Sequence, residues 1–526
     1  MRGRGAILRP MRGATGKVYL LGAGPGDPEL ITARALRRLR ECDVVLYDAL
    51  VHPDLLAHAR PGAELTFVGK RAGAPSERQA NIHARMVEEA RAGRVVGRLK
   101  GGDPFMFGRG SEEAEHLAEA GIPFEVVPGV TSPLAVCAYA GISLTHRDAS
   151  SSVAFLTASE HADKPESAHD WSKLATATQT LVVFMGMRHL ERTMARLVAH
   201  GRDPDEPAAV FEWASLPRQR SLVGTVGTIA QIARDAGAGL PALTVVGEVV
   251  RLRERLRWYD VQPLFGKRVL ITRPAELAGG FAQRLRDAGA DPVALPTIRI
   301  APPEDTARLS QAVRDAATYD AIVFTSANGV SRFFDAIAEA GGDARWLGRG
   351  LVAAIGPATA EALTARGVRA DVVPDEFRGE AAARALIDAL GPRVLGARVL
   401  LPRAAVAREA LPEQLRDAGA HVDVVATYQT LGPRAEDAQR LRDALTEGAI
   451  DIIALTSSST VTQLVEVLGA DAATLLADVT LASIGPITTQ TAESLGLRVA
   501  VTASAYTTAG LLEALEAHVE TVVKDA

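Results

Sequence analysis

The sequence predicts an α/β protein along its whole length: two α/β domains in the front half, then a bilobed, internally duplicated α/β half. Three observations lead there. Before residue 260, short apolar runs ending in glycine or proline loops alternate with stretches of helical period. From Gly266 onward the chain repeats itself at offsets of 129 to 131 residues. A chain of 526 residues, 47% hydrophobic and 23% charged, is also long enough and apolar enough to bury several separate cores.

Residues 1–15 form a loose basic start without the apolar core of a signal peptide. The first domain spans 16–148. Its opening run Lys17–Leu21 ends in Gly22-Ala23-Gly24-Pro25-Gly26-Asp27; the helix-period stretch LITARALRRLRE and the buried-strand pattern DVVLYD follow as one βαβ unit. RVVGRLKGGDP and FEVVPGVTS repeat the theme of a strand closing in a glycine or proline loop. Ligands bind at the carboxyl ends of parallel strands, so these loops are the expected site. The glycine turn departs from a dinucleotide fingerprint, because the third glycine of G-x-G-x-x-G is Asp27 and Pro25 lacks an amide that a phosphate would use. The second domain, 149–259, carries the strand patterns SVAFLTA, TLVVFMGM, AAVFEWA and ALTVVGEVV, and 260–265 reads as a linker.

In residues 266–526, GKRVLITRPAELAGGFAQRLRDAGADPVALPT matches GARVLLPRAAVAREALPEQLRDAGAHVDVVAT, with Gly266 opposite Gly396. DAIVFTSANGV matches DIIALTSSSTV, Thr325 opposite Thr456. VAAIGPATAEAL matches LASIGPITTQTA, Gly356 opposite Gly485, and Phe377 falls opposite Tyr506. Taken alone, the repeat suggests two lobes of about 130 residues with a ligand cleft between them.

Composition narrows the function classes. A net charge of −5 gives no basic footprint for nucleic acid, and no stretch of 18 apolar residues offers a membrane span. The two cysteines, Cys42 and Cys137, have neither pairing nor metal-ligand spacing, which fits a reducing cytoplasm and no metal. Lysine is rare, seven residues against 51 arginines, so a lysine inside a motif stands out.

GAGPGDPELIT, VVLYDALV, FVGKRAG, RLKGGDPFMFGRGSEE, GIPFEVVPGVTS, GISLTHRD and TLVVFMGM occur in that order. Together they resemble the uroporphyrinogen-III C-methyltransferases of siroheme and cobalamin synthesis, over residues 16–259. The resemblance implies the two-domain tetrapyrrole-methylase fold, with S-adenosylmethionine in the crevice between domains and S-adenosylhomocysteine as its product. It further implies a homodimer, and double methylation of uroporphyrinogen III on ring carbons to give precorrin-2. It places the cofactor on Pro25, Gly101, Gly102, Asp103, Met106, Thr131, Ser132, Met185 and Ala214. Glycines let the backbone approach a ligand, and methionines suit an adenine or thioether, core packing being their other use.

The same resemblance gives proton transfer to Asp48 as base and Lys70 as acid, since attack of a pyrrole-type carbon on the sulfonium methyl leaves an acidic ring proton. Arg71, Arg78, Arg85, Arg109 and Arg147 flank these loops and suit the carboxylates of the substrate, a solvated surface being the alternative for any one of them. One departure is Glu212-Trp213-Ala214, where the family usually has Glu-Asn-Gly. An alanine there keeps the backbone contact if its φ is negative.

Residues 266–520 resemble the uroporphyrinogen-III synthases in LITRP, FTSANGV, AAIGPATA, VVATYQT, LTSSST, SIGP and YTTAGLLEAL. That fold implies two crossings between lobes, at PTIRI and VVATYQT, so that the first lobe combines the beginning and the end of the half. The implied reaction closes hydroxymethylbilane with its last pyrrole inverted. The substrate loses water to a reactive cation, so orienting donors suffice. Thr325, Ser326, Asn328, Thr456, Ser457, Ser458 and Thr507 are the candidates, with helix N-capping as their other use, and Tyr428 is the expected acid for the leaving hydroxyl. The expectation is a bifunctional cytoplasmic enzyme of tetrapyrrole biosynthesis. The alternatives are a methyltransferase with a degenerate back half, and a back half that binds or senses a tetrapyrrole.

Overall fold

The computed structural model describes residues 16–69, 79–158, 169–272, 275–295, 297–407 and 409–525. The chain divides into two compact units, one built on residues 16–267 and the other on 268–518; 285–291 and the residues from 519 onward count with the first.

The first unit holds two five-stranded sheets. β1 (Lys17–Gly22), β2 (Val44–Tyr47), β3 (Glu64–Phe67), β4 (Val95–Lys100) and β5 (Phe124–Val127) lie in the order β3-β2-β4-β1-β5, every neighbouring pair parallel. Alternation along β1 explains its unbroken apolar run. Val18 and Leu20 pack under the helices Gln79–Arg91 and Gly110–Glu119, while Tyr19 and Leu21 face the helix Ala33–Leu39. The parallel arrangement brings the carboxyl ends of all five strands to one edge, where Ala23, Asp48, Val68, Gly101 and Pro128 follow. The α-helix after the glycine turn starts only at Ala33, capped by Thr32; a single 3-10 turn, Pro28–Leu30, capped by Asp27, precedes it.

The second sheet contains β6 (Val153–Thr157), β7 (Thr180–Phe184), β8 (Pro207–Glu212), β9 (Arg220–Thr225) and β10 (Ala242–Val246) in the order β6-β7-β10-β8-β9. Only β6 and β7 pair in parallel. Four of these strands correspond to the four sequence patterns. The fifth, β9, is a half-exposed edge strand that lacks the continuous apolar signal of the others.

The second unit runs through β11 (Arg268–Ile271), β12 (Asp291–Ala294), β13 (Arg299–Ala301), β14 (Ala321–Phe324), β15 (Leu351–Ala354), β16 (Arg398–Ala404), β17 (His421–Leu431), β18 (Ile452–Leu455), β19 (Thr480–Ser483) and β20 (Val501–Thr502). They form two sheets, β12-β11-β18-β19-β20 and β13-β17-β16-β14-β15. The repeats and the sheets do not coincide. β11 and β12 come from the first repeat and join β18–β20 of the second; β16 and β17 come from the second and join β14 and β15 of the first. Two lobes of one repeat each is therefore corrected: each lobe combines the opening of one repeat with the close of the other. The chain leaves the first sheet at 295–298, within PTIRI. It returns after Leu431, one loop beyond VVATYQT, which itself runs unbroken inside β17.

Candidate functional site

In the first unit, three loops meet backbone to backbone at the carboxyl edge of the parallel sheet. The Gly24 N–H donates to the Gly102 carbonyl at 3.2 Å and the Gly102 N–H returns to the Gly24 carbonyl at 2.9 Å, while the Ala23 N–H reaches the Lys100 carbonyl at 2.8 Å. A Cβ at Gly22 would stand 2.4 Å from the Gly129 nitrogen, and one at Gly129 would stand 2.2 Å from the Gly102 oxygen. Only glycine allows this approach at Gly22 and Gly129. Gly102 is in the left-handed region at φ +70°, with Ser132 Oγ beside it. A Cβ at Gly101 would lie 2.9 Å from the Leu50 Cβ. Asp103 braces the junction, its two oxygens accepting from the Phe105 N–H at 2.8 Å and the Gly129 N–H at 3.0 Å. Thr131 is the N-cap of the helix Ser132–Ala140.

A second cluster closes on the Pro25–Asp27 turn. Ser215 Oγ donates to the Pro25 carbonyl at 2.8 Å and accepts from the Asp27 N–H at 3.3 Å, and the Tyr139 hydroxyl donates to Asp27 Oδ2. Gln219 ties these together by accepting from the Ser215 N–H at 3.0 Å. All five non-glycine residues with positive φ among those described fall in this unit's loops: Phe107, Arg109, Met185, Trp213 and Ser215. Such backbone persists only where the surroundings enforce it. Ala214 lies outside the left-handed region, so alanine costs no strain there. Trp213, at φ +48°, takes the strained position and lies under the Arg218 guanidinium at 3.6 Å. Met185 exposes 46% of its surface at φ +52°, whereas Met106 packs against the core around Phe184 and Phe211.

Asp48 follows β2. Its Oδ1 accepts from Arg98 Nη2 at 2.7 Å, and Arg98 is itself buried against Glu113 and Lys100. Sequence reading did not single out Arg98, Lys100 or Glu113; their only signal was a charged R-x-K inside a buried strand. Arg109 pairs with Glu112 and Arg85 with Glu64, both near the surface, and Arg147 is exposed. Lys70, Arg71 and Arg78 lie outside the described residues.

In the second unit, the structure brings Tyr428 and Ser326 together, hydroxyl to hydroxyl at 3.2 Å. Ser326 also caps the helix Ala327–Glu339 by accepting from the Gly329 N–H, with Thr325 and Asn328 half-buried beside it. At the equivalent place in the other repeat, Thr456 is buried, Ser457 forms a capping box with Thr460, and Ser458 Oγ accepts from Thr491 Oγ1 at 2.8 Å. Thr507 Oγ1 accepts from the Gly510 N–H at 3.1 Å. The duplication survives in detail: a Cβ at Gly356 would meet the Phe377 ring at 3.1 Å, and one at Gly485 the Tyr506 ring at 2.8 Å.

A family model described as tetrapyrrole (corrin/porphyrin) methylases matches residues 17–230, and one described as uroporphyrinogen-III synthase HemD matches 280–513. A porphyrin biosynthesis protein HemD of Ruminiclostridium josui is 38% identical over 447 residues, 85% of this chain and 88% of that protein. A uroporphyrinogen-III C-methyltransferase of Bacillus subtilis is 40% identical over 339 residues, 64% of this chain and 69% of that protein. Siroheme synthase 2 of Aeromonas hydrophila is 50% identical over 252 residues, 48% of this chain, and the chain spans about half the length of that relative, 53%. The chain therefore belongs to the same family as the Ruminiclostridium protein, with a tetrapyrrole-methylase region and a uroporphyrinogen-III-synthase region on one polypeptide.

Proposed function

We propose that the chain is a bifunctional enzyme of tetrapyrrole biosynthesis. Its back half closes hydroxymethylbilane to uroporphyrinogen III, and its front half methylates that product twice to precorrin-2. One observation carries the reading: matches to a family that makes uroporphyrinogen III and to one that methylates tetrapyrroles sit on one polypeptide, as in a relative aligned along 85% of this chain.

S-adenosylmethionine, when bound, supplies the methyl group as a sulfonium. The residues present fit it. The junction has no room for a side chain at Gly22 or Gly129 and holds Gly102 in left-handed backbone, and the apolar Met185, Phe105 and Leu50 remain exposed nearby in sequence to these loops. Gly101, Gly102, Pro25, Thr131, Ser132 and Ala214 would hold it through backbone, with Asp103 bracing the loop. Asp48 takes the ring proton, its carboxylate held in place by the ion pair with Arg98. Lys70 is the acid by resemblance. In the back half, Tyr428 protonates the leaving hydroxyl, held by the Ser326 contact, while Thr325, Asn328, Thr456 and Thr507 serve the substrate carboxylates. Arg109 and Arg147 do so in front. A homodimer in the cytoplasm completes the reading. Among the described residues no helix is long and apolar enough to cross a membrane.

The experiment is a coupled synthesis. Purified protein given hydroxymethylbilane and S-adenosylmethionine, with no other enzyme, should yield the doubly methylated product. Hydroxymethylbilane also cyclises spontaneously to the unrearranged isomer, so oxidised products are resolved by isomer on chromatography. Only the type I isomer from wild-type protein would overturn the synthase assignment and favour a tetrapyrrole-sensing back half.

A further inference from the structure

Beneath Asp48, four charged side chains form a closed and balanced set. Arg98 and Lys100 are two residues apart on β4 and so share a face of the strand. Glu113, on the helix Gly110–Glu119, presents one oxygen to three donors: Lys100 Nζ at 2.9 Å, Gln79 Nε2 at 3.0 Å and Arg98 Nε at 3.1 Å. Among the described residues its other oxygen, Oε2, is buried without a partner. The far edge of Arg98, through Nη2, holds Asp48 at 2.7 Å. The side chains of Arg98, Lys100 and Glu113 are at most 5% exposed, while that of Asp48 is 28% exposed.

Buried ion sets are poor investments in stability, because the desolvation of each charge offsets its attraction to the others. This one does something a hydrophobic cluster could not. The guanidinium is planar and rigid, so fixing Nε fixes the direction of Nη2. Burial, and then the charge of Arg98, press the Lys100 ammonium below its ordinary range, and Glu113 opposes both. The remaining polar neighbours are His83, which Gln79 links to Glu113, the His116 ring stacked on it at 4.9 Å, and the Arg109–Glu112 pair.

We propose that Glu113 is a positioning residue for methyl transfer: together with Lys100 it anchors the rear of Arg98, and through Arg98 it fixes the Asp48 carboxylate at the mouth of the site. The proposal rests on Asp48 being the base of the reaction proposed above.

Three variants of the full chain test it. Each is read by S-adenosylhomocysteine affinity and by kcat and KM, taken separately, for methylation of supplied uroporphyrinogen III. Cyclisation of hydroxymethylbilane serves as the folding control. Glu113→Asp keeps the charge but withdraws it by one methylene, so kcat falls roughly ten- to hundredfold while KM and S-adenosylhomocysteine affinity stay near wild type. Glu113→Gln keeps the shape and removes the charge that anchors Arg98, so kcat falls at least as far while S-adenosylhomocysteine affinity stays near wild type. Adding Lys100→Met to Glu113→Gln restores the charge balance around Arg98 and recovers part of the lost kcat.

Glu113→Gln with the wild-type kcat overturns the proposal. So does loss of S-adenosylhomocysteine binding in all three variants, which would make Glu113 a support of the fold. Wild-type protein that binds S-adenosylhomocysteine but does not methylate uroporphyrinogen III overturns the methyltransferase reading as well, and is a different result from either.

Discussion

Replacing Gly129 by alanine perturbs the front-half site through a single atom. Gly129 lies outside the left-handed region, so alanine brings no backbone strain and its whole effect is contact. The new Cβ would stand 2.2 Å from the Gly102 oxygen and 2.8 Å from the Gly22 Cα. Ordinary contact begins at 3.4 Å, so the loops after β1, β4 and β5 must part by about 1.2 Å. Every atom in the way is backbone, and no rotamer can relieve it. Overpacking of this kind costs ~1–3 kcal/mol. Parting the loops also stretches the 3.0 Å bond from the Gly129 N–H to Asp103, and a bond to a charged acceptor is worth ~1.5–3 kcal/mol. A melting temperature lower by roughly 2–8 °C follows for a unit of this size. Misplacing binding atoms by about an ångström costs up to ~100-fold, so the S-adenosylhomocysteine Kd, measured by calorimetry, should rise at least tenfold. Gly280→Ala is the control, because nothing lies within 4 Å of a Cβ there. Affinity within twofold of wild type for Gly129→Ala would refute the reasoning and move the cofactor away from this junction.

Other outcomes follow from the same geometry. Asp48→Asn should bind S-adenosylhomocysteine nearly normally yet lose methyl transfer by roughly 10²–10⁴-fold, while still cyclising hydroxymethylbilane; near wild-type turnover removes Asp48 from the mechanism. Tyr428→Phe should do the reverse, slowing formation of the type III isomer and leaving methylation of supplied uroporphyrinogen III intact, as chromatography of the oxidised isomers would report. Gly101→Val forces a branched side chain onto Leu50, whose Cβ is 2.9 Å from the first added carbon, so calorimetry should show cofactor binding lost while circular dichroism shows the fold kept. Burial pushes the Cys42 and Cys137 thiols up to about 12, so both stay protonated at pH 8. A disulfide reagent should therefore titrate neither in native protein and both after unfolding; rapid native labelling would contradict the packing.

The parallel sheet was legible because its inner strands β1, β2 and β4 are buried on both faces, which leaves unbroken apolar runs such as VYLL and VVLY. The edge strand β9 was not, since none of its residues is buried and its period is weak. The repeat identified which segments correspond but said nothing of which segments pair, and the exchange of halves came from resemblance alone. The set of Arg98, Lys100, Glu113 and Asp48 could not be read, because its members meet only through the register that sets Leu46 beside Arg98. Left-handed backbone at Met185, Trp213 and Ser215 was equally hidden: glycine is the sequence sign for that conformation, and none stands there. Asp103 was assigned to the cofactor by resemblance alone, and the backbone N–H bonds that its two oxygens accept from Phe105 and Gly129 had no sign in the sequence.

The interleaving of the two repeats says how such a chain can have arisen. Cut at the boundary before Gly396, neither fragment contains a whole lobe: each carries the opening strands of one and the closing strands of the other. Two identical single-repeat chains would complete both lobes only by trading their ends, as in a swapped dimer. Duplication and fusion of the gene for such a dimer yields the present connectivity without any change of fold, the join merely tethering partners already interlocked. The same entanglement makes the halves inseparable today. Split before Gly396 and expressed together, the fragments should recover as a one-to-one complex, and expressed apart each should be left with unpaired strand edges and aggregate.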